Sequence, residues 1–148
     1  MLQNEKEPSI FCLQEPYYTK NGFLMGIPKN YKTFGIRNSR GIIICHNSID
    51  LIFSNEFSSE DLTVCFMNSS NRYFASIYLD IHRDPVHPKM IEMAEYFALS
   101  KSNAIFCIDS NAHSAAFWNS SDTNSRGESI ELFCMMYNAH VLNKGTIQ

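Results

Sequence analysis

The feature that most constrains this chain is a change of apolar pattern at Pro85. Before it, apolar residues come in short runs separated by turn formers, and after it they recur at helical spacing on either side of one continuous apolar run. Ser9–Gln14 is a β-prone run stopped by Pro16, and residues 17–31, with Gly22, Gly26, Pro28 and several aromatics, read as loop with at most one short strand. Strands are predicted over Lys32–Arg37, Gly41–Cys45 and Asp50–Phe57, with turns at Asn38-Ser39 and His46-Asn47-Ser48. Leu62–Met67 and Tyr73–Leu79 flank the polar connection Asn68-Ser69-Ser70-Asn71, so the central stretch reads as an antiparallel meander. In Pro88–Leu99, Met90, Ile91, Met93, Ala94, Phe97 and Ala98 share a helical face, and Pro88 suits its first turn. Ala104–Ile108 is a strand running into Asp109, followed by a polar loop over 110–126 that Trp118 anchors. A second helix runs from Gly127 to about Asn138, and Val141-Leu142 is a last short strand. Strands first and strand–helix alternation afterwards predict a mixed α+β sandwich.

Composition narrows the class. The 148 residues suit one domain, and 45% hydrophobic with 18% charged residues is a globular balance. Apolar runs such as Ile42–Cys45 are too short to span a bilayer, and the polar, acidic start carries no signal-peptide core. Five cysteines without a C-x-x-C pair, most of them inside apolar runs, predict buried thiols in a reducing, intracellular compartment and no zinc site. A net charge of −3 excludes holding nucleic acid by bulk attraction. Between Tyr17 and Arg40, however, Lys20, Lys29, Lys32, Arg37 and Arg40 stand with no acid among them. Such a strip tracks a phosphate backbone or is simply a solvated hairpin face.

Polar residues at the ends of apolar strands are the candidates for chemistry. Glu15 follows a buried-type strand and precedes Pro16, which suits a fixed oxygen ligand of the kind Mg²⁺ takes or, alternatively, leaves a solvated acid at a strand end. In Ile108-Asp109-Ser110-Asn111-Ala112-His113, Asp109 and Asn111 share a face if extended backbone continues that far. An Asp orients or deprotonates water, and an Asn amide donates to a phosphate oxygen; an Asx turn closing the strand is the structural alternative. Tyr78, at a strand end, donates to a phosphate or sits as an amphipathic edge residue. His113 is the one histidine beside a candidate site, and no serine or cysteine nucleophile signature or Gly-rich phosphate loop is present.

Taken in order, these segments resemble the endonuclease/exonuclease/phosphatase superfamily, and within it the endonuclease domains of non-LTR retrotransposons. The matching pieces are Leu13-Gln14-Glu15-Pro16-Tyr17, Arg40-Gly41-Ile42-Ile43-Ile44, Ile77-Tyr78 and Ile108-Asp109-Ser110-Asn111-Ala112-His113-Ser114. Trp118, Asn124-Ser125-Arg126-Gly127-Glu128 and Val141-Leu142-Asn143 continue the series. The resemblance implies a four-layer α/β/β/α sandwich that hydrolyses phosphodiesters with Mg²⁺ or Mn²⁺. It implies Glu15 as metal ligand, Asp109 on the attacking water, Asn111 on the scissile phosphate, Tyr78 positioning that phosphate, and Arg40 and His113 on the substrate side. Trp118 and Arg126 would hold the loop and start the second helix.

The same resemblance implies DNA as partner, a longer polyprotein with a reverse transcriptase, and access to the nucleus. It also implies a single partial domain over 1–148. The family's first strand with its Asn lies before the Gln-Glu motif, and its last strands supply a further Asp and a His. Without those groups the expectation is weak or no cleavage, since residues that act as a unit fail together. A non-catalytic relic that weakly binds nucleic acid or protein is the alternative function, and a phosphatase of small phosphoesters is a further one.

Overall fold

The computed structural model describes residues 7–144, which divide into two compact units. The first comprises residues up to Tyr78 together with Ser100–Asp109, and the second Leu79–Leu99 together with the residues from Ser110 onward.

The first unit holds two β-sheets. In one, β1 (Ile10–Gln14), β2 (Tyr31–Phe34) and β3 (Gly41–His46) lie in the order β1-β3-β2, all antiparallel. In the other, β4 (Ile52–Phe53), β5 (Leu62–Met67), β6 (Arg72–Tyr78) and β7 (Asn103–Asp109) lie in chain order. Its last pair, β6 and β7, is parallel. The central strand β3 is buried at every position from Gly41 to Cys45, which is why it reads as one apolar run without alternation. Ile43 and Cys45 cluster with Leu51 and Cys65 between the sheets, and Ile10, Cys12 and Phe74 pack against them.

A polar seam joins the two sheets at one end. Gln14 Nε2 donates to Ser76 Oγ at 2.9 Å and to the Cys107 carbonyl at 3.1 Å, and Ser76 Oγ donates to the Leu13 carbonyl at 3.0 Å. Ser39 and Thr63 both donate to the Gly41 carbonyl, at 2.7 and 2.6 Å. The hydroxyl-bearing residues Ser39, Thr63 and Ser76 are fully buried, so these bonds offset the cost of removing polar groups from water. Gly41 is required for the approach. A Cβ there would stand 2.6 Å from the Ser76 carbonyl oxygen and 2.8 Å from that of Asp61, both of them backbone.

The second unit carries the helices α1 (Pro88–Ser100), α2 (Ala115–Trp118) and α3 (Ser125–Met136). Helix α1 opens on Pro88 as predicted and buries Met90, Met93, Ala94 and Phe97, while Ile91 and Ala98 of the predicted face are exposed. Asn124 caps α3, its side chain accepting from the Gly127 amide at 2.8 Å, and Gly127, Ile130, Phe133 and Cys134 are buried. No helix among the described residues is long and apolar enough to cross a membrane.

The α+β class is the one the sequence predicts, with differences in detail. The central strands form no single meander, because β3 pairs with β1 and β2 and leaves β4–β6 to the other sheet. The strand predicted over Asp50–Phe57 shrinks to Ile52–Phe53, since the chain turns there and tucks the Phe57 ring edge-on to Tyr73. Val141 and Leu142 form no strand, and Leu142 is exposed.

Candidate active site

In the first unit the predicted residues gather at the strand ends beside the polar seam. Gln14 pairs with Gly41 in the antiparallel register, so Glu15 and Arg40 leave the first sheet side by side, and the Glu15 amide donates to the Arg40 carbonyl at 2.8 Å. In the parallel pair Tyr78 lies opposite Asp109, the two last residues of β6 and β7. Gln14 grips Ser76 and Cys107, each two residues before those ends, and thereby brings the exit of β1 to the exits of β6 and β7.

Arg40 links the pieces. Its Nε lies 2.6 Å from Asp61 Oδ1, and its guanidinium sits over the Tyr78 ring at 4.8 Å from the centroid. The backbone repeats the connection, with the Tyr78 amide donating to the Asp61 carbonyl at 2.8 Å and the Arg40 amide to that of Glu60 at 2.6 Å. Asp61 is the member that sequence reasoning missed. It stands in the sequence near Asp50, Glu56 and Glu60, and its side chain is only 1% exposed. A buried carboxylate needs a cation, and the strip's own Arg40 supplies it. Arg40 thus packs on the Tyr78 ring and neutralises Asp61.

Glu15 is exposed and adopts a left-handed backbone, with φ 48°. That conformation costs a non-glycine residue about 1–2 kcal/mol and is further disfavoured before a proline. Strain of this kind gathers at functional positions, where the surrounding structure holds it in place. The donors at this end are hard carboxylate oxygens, which suit Mg²⁺ or Mn²⁺ held by one or two carboxylates and completed by water. Among the described residues no group of three or more His, Cys, Asp or Glu comes together.

The other predicted residues lie in the second unit. Extended backbone ends at Asp109, and Asn111 is left-handed at φ 47°, so the condition for strand alternation to pair it with Asp109 is not met. Asn111 Nδ2 donates to the Leu79 carbonyl at 3.1 Å. His113 Nδ1 lies 2.9 Å from Asp122 Oδ1, both side chains well exposed, and this hydrogen bond holds the Asp122 carboxyl below the usual carboxylate range. The His113 amide donates to Asn124 Oδ1, and its carbonyl closes on Gly127, where a Cβ would come within 1.7 Å. Arg126 donates to the carbonyls of Arg83 at 2.7 Å and Asp80 at 3.1 Å, so these bonds hold the segment before α1 and not the 110–126 loop.

No family model matches the chain, and no curated protein matches it in sequence. Among solved structures, the endonuclease domain of TRAS1, a telomere-specific non-LTR retrotransposon, superposes with a TM-score of 0.70 over 93% of this chain, at 19% identity. This chain covers 62% of that domain's length. The resemblance drawn from the ordered motifs therefore holds at the level of the fold, which is that of a non-LTR retrotransposon endonuclease domain.

Proposed function

We propose that this chain is part of a metal-dependent DNA endonuclease domain that nicks target DNA, weakly at most as this segment, from a polyprotein that also carries a reverse transcriptase. The observation that supports this reading best is the meeting of Glu15, Tyr78 and Asp109 at the sewn ends of two facing sheets, in a fold shared with such a domain. In this reading Glu15 holds Mg²⁺ or Mn²⁺, and Asp109 orients or deprotonates the attacking water. Tyr78, held by the Arg40 guanidinium over its ring, steadies the scissile phosphate. The divalent ion, when bound, offsets negative charge at the leaving oxygen. The cations among residues 20–37 then follow the phosphate backbone.

Supercoiled plasmid incubated with the protein and Mg²⁺, beside Asp109→Ala and an EDTA control, tests the reading. Nicked circles that require both the metal and Asp109 support it. Folded protein that binds the plasmid and leaves it supercoiled turns the assignment to a non-catalytic nucleic-acid binder.

A further inference from the structure

One cleft of the first unit lies outside the strand-end cluster. It has a volume of about 440 Å³, and its lining includes Tyr18, Phe23, Tyr31, Lys32, Phe34 and Arg37, with no carboxylate. Its rim is a tight hairpin held at several points. Tyr18 bridges Leu24, the Thr19 amide donates to the Phe23 carbonyl at 2.8 Å, and the Phe23 amide donates to Thr19 Oγ1 at 3.1 Å. Gly22, with φ 80°, makes the reversal, and the Tyr18 hydroxyl pins the hairpin to the Ser39 carbonyl at 2.7 Å. This rigid turn presents Phe23 69% exposed, beside Tyr17 and Met25, which are also exposed. Large apolar side chains held out of the core by a braced loop mark a contact surface. Lys32 and Arg37 line the same cleft, in a stretch from residue 17 to 40 that holds no acid.

An aromatic face, two cations at the cleft and no acid form a pattern with one fitting occupant. A base offers a π-face to a phenyl ring whatever its identity, and its phosphate carries the charge that Lys32 and Arg37 answer. We propose that the cleft takes an unpaired nucleotide of single-stranded DNA, the base stacked on Phe23 and the phosphate held by Arg37 and Lys32. The choice of ligand rests on the nuclease reading. The placement adds that the protein engages a locally opened strand beside the duplex it nicks.

The test is binding of a labelled oligothymidine to the whole chain in EDTA, beside a strand of the same length whose sugars carry no bases. The thymidine strand binds more tightly than the base-free one. Phe23→Ala weakens it by roughly five- to a hundred-fold and leaves the base-free strand unaffected, while Phe23→Trp keeps the affinity. Arg37→Gln and Lys32→Gln each lower the slope of log affinity on log salt by about 0.7, and Phe23→Ala leaves that slope alone. Phe23 is exposed, so its truncation leaves the melting temperature unchanged, which circular dichroism checks. Equal binding of the two strands, thymidine affinity unchanged in Phe23→Ala, or binding of neither strand overturns the proposal. Hydrolysis plays no part in this measurement, so its failure is distinct from failure to nick plasmid in Mg²⁺.

Discussion

Arg40 and Asp61, with β3 and β4 between them in the sequence, meet with Nε 2.6 Å from Oδ1 at the end of the two sheets. The pair is unequal, since the Arg40 side chain is 33% exposed and that of Asp61 only 1%. Removing the arginine strands a buried carboxylate, whereas removing the carboxylate leaves a guanidinium that water still reaches. Arg40→Met is therefore expected to cost about 3–5 kcal/mol and Asp61→Asn about 1–3 kcal/mol. Urea unfolding of the two variants gives the order, and equal losses would contradict it.

Glu15 sets stability against chemistry. Its left-handed backbone suits glycine, so Glu15→Gly relieves strain and stabilises the fold by about 1 kcal/mol. The same change removes the proposed metal ligand and abolishes nicking. A variant that melts higher and no longer cleaves is the expected pairing, read from a thermal melt and the plasmid assay on one preparation.

Two glycines mark close approaches of backbone. Gly41→Ala drives a methyl into the carbonyls of Ser76 and Asp61, and Gly127→Ala drives one into the carbonyl of His113. Each is expected to cost about 3 kcal/mol, the upper part of the overpacking range, because backbone moves less readily than a side chain. Gly26 has nothing within 4 Å of an added Cβ, but its φ of 77° leaves the backbone penalty. Gly26→Ala is thus expected to lose only about 1 kcal/mol. Denaturant midpoints rank the three.

The thiols differ in reactivity. Across the sheets Cys12 hydrogen-bonds to Cys107, which lowers the Cys107 pKa against the opposing effect of burial and raises that of Cys12. Burial pushes Cys65 up to about 12. Alkylation follows the thiolate, so iodoacetamide is expected to label Cys107 first, with a rate that climbs at a lower pH than an ordinary cysteine requires. Cys65 stays unlabelled until the protein unfolds. Peptide mass spectrometry at a series of pH values reads both.

What was legible in the sequence follows how local each signal is. Leu62–Met67 is a strand over the predicted residues, because turn formers bound it on both sides. The strand predicted over Lys32–Arg37 instead spans Tyr31–Phe34, since Gly35 takes φ 151° and the chain turns before Arg40. Which strands pair was hidden, because the placement of β3 between β1 and β2 is decided by contacts distant in sequence. Glu15, Arg40, Tyr78 and Asp109 were legible as strand ends in a recognisable order. Asp61 was not, because nothing local tells a carboxylate that will be buried against Arg40 from a solvated one. Phe23 likewise read as loop, and only the hairpin that braces it separates a presented aromatic from a loop residue packed inward.

The central claim is that a divalent ion and its chemistry belong to the strand ends around Glu15. Titrating Mn²⁺ into isotopically labelled protein tests it most directly, because the paramagnetic ion broadens the amide signals nearest to it. The account predicts that Glu15, Tyr78 and Asp109 lose intensity first and that Glu15→Gln abolishes the effect. Broadening centred on His113 and Asp122, or broadening that survives Glu15→Gln unchanged, would contradict it.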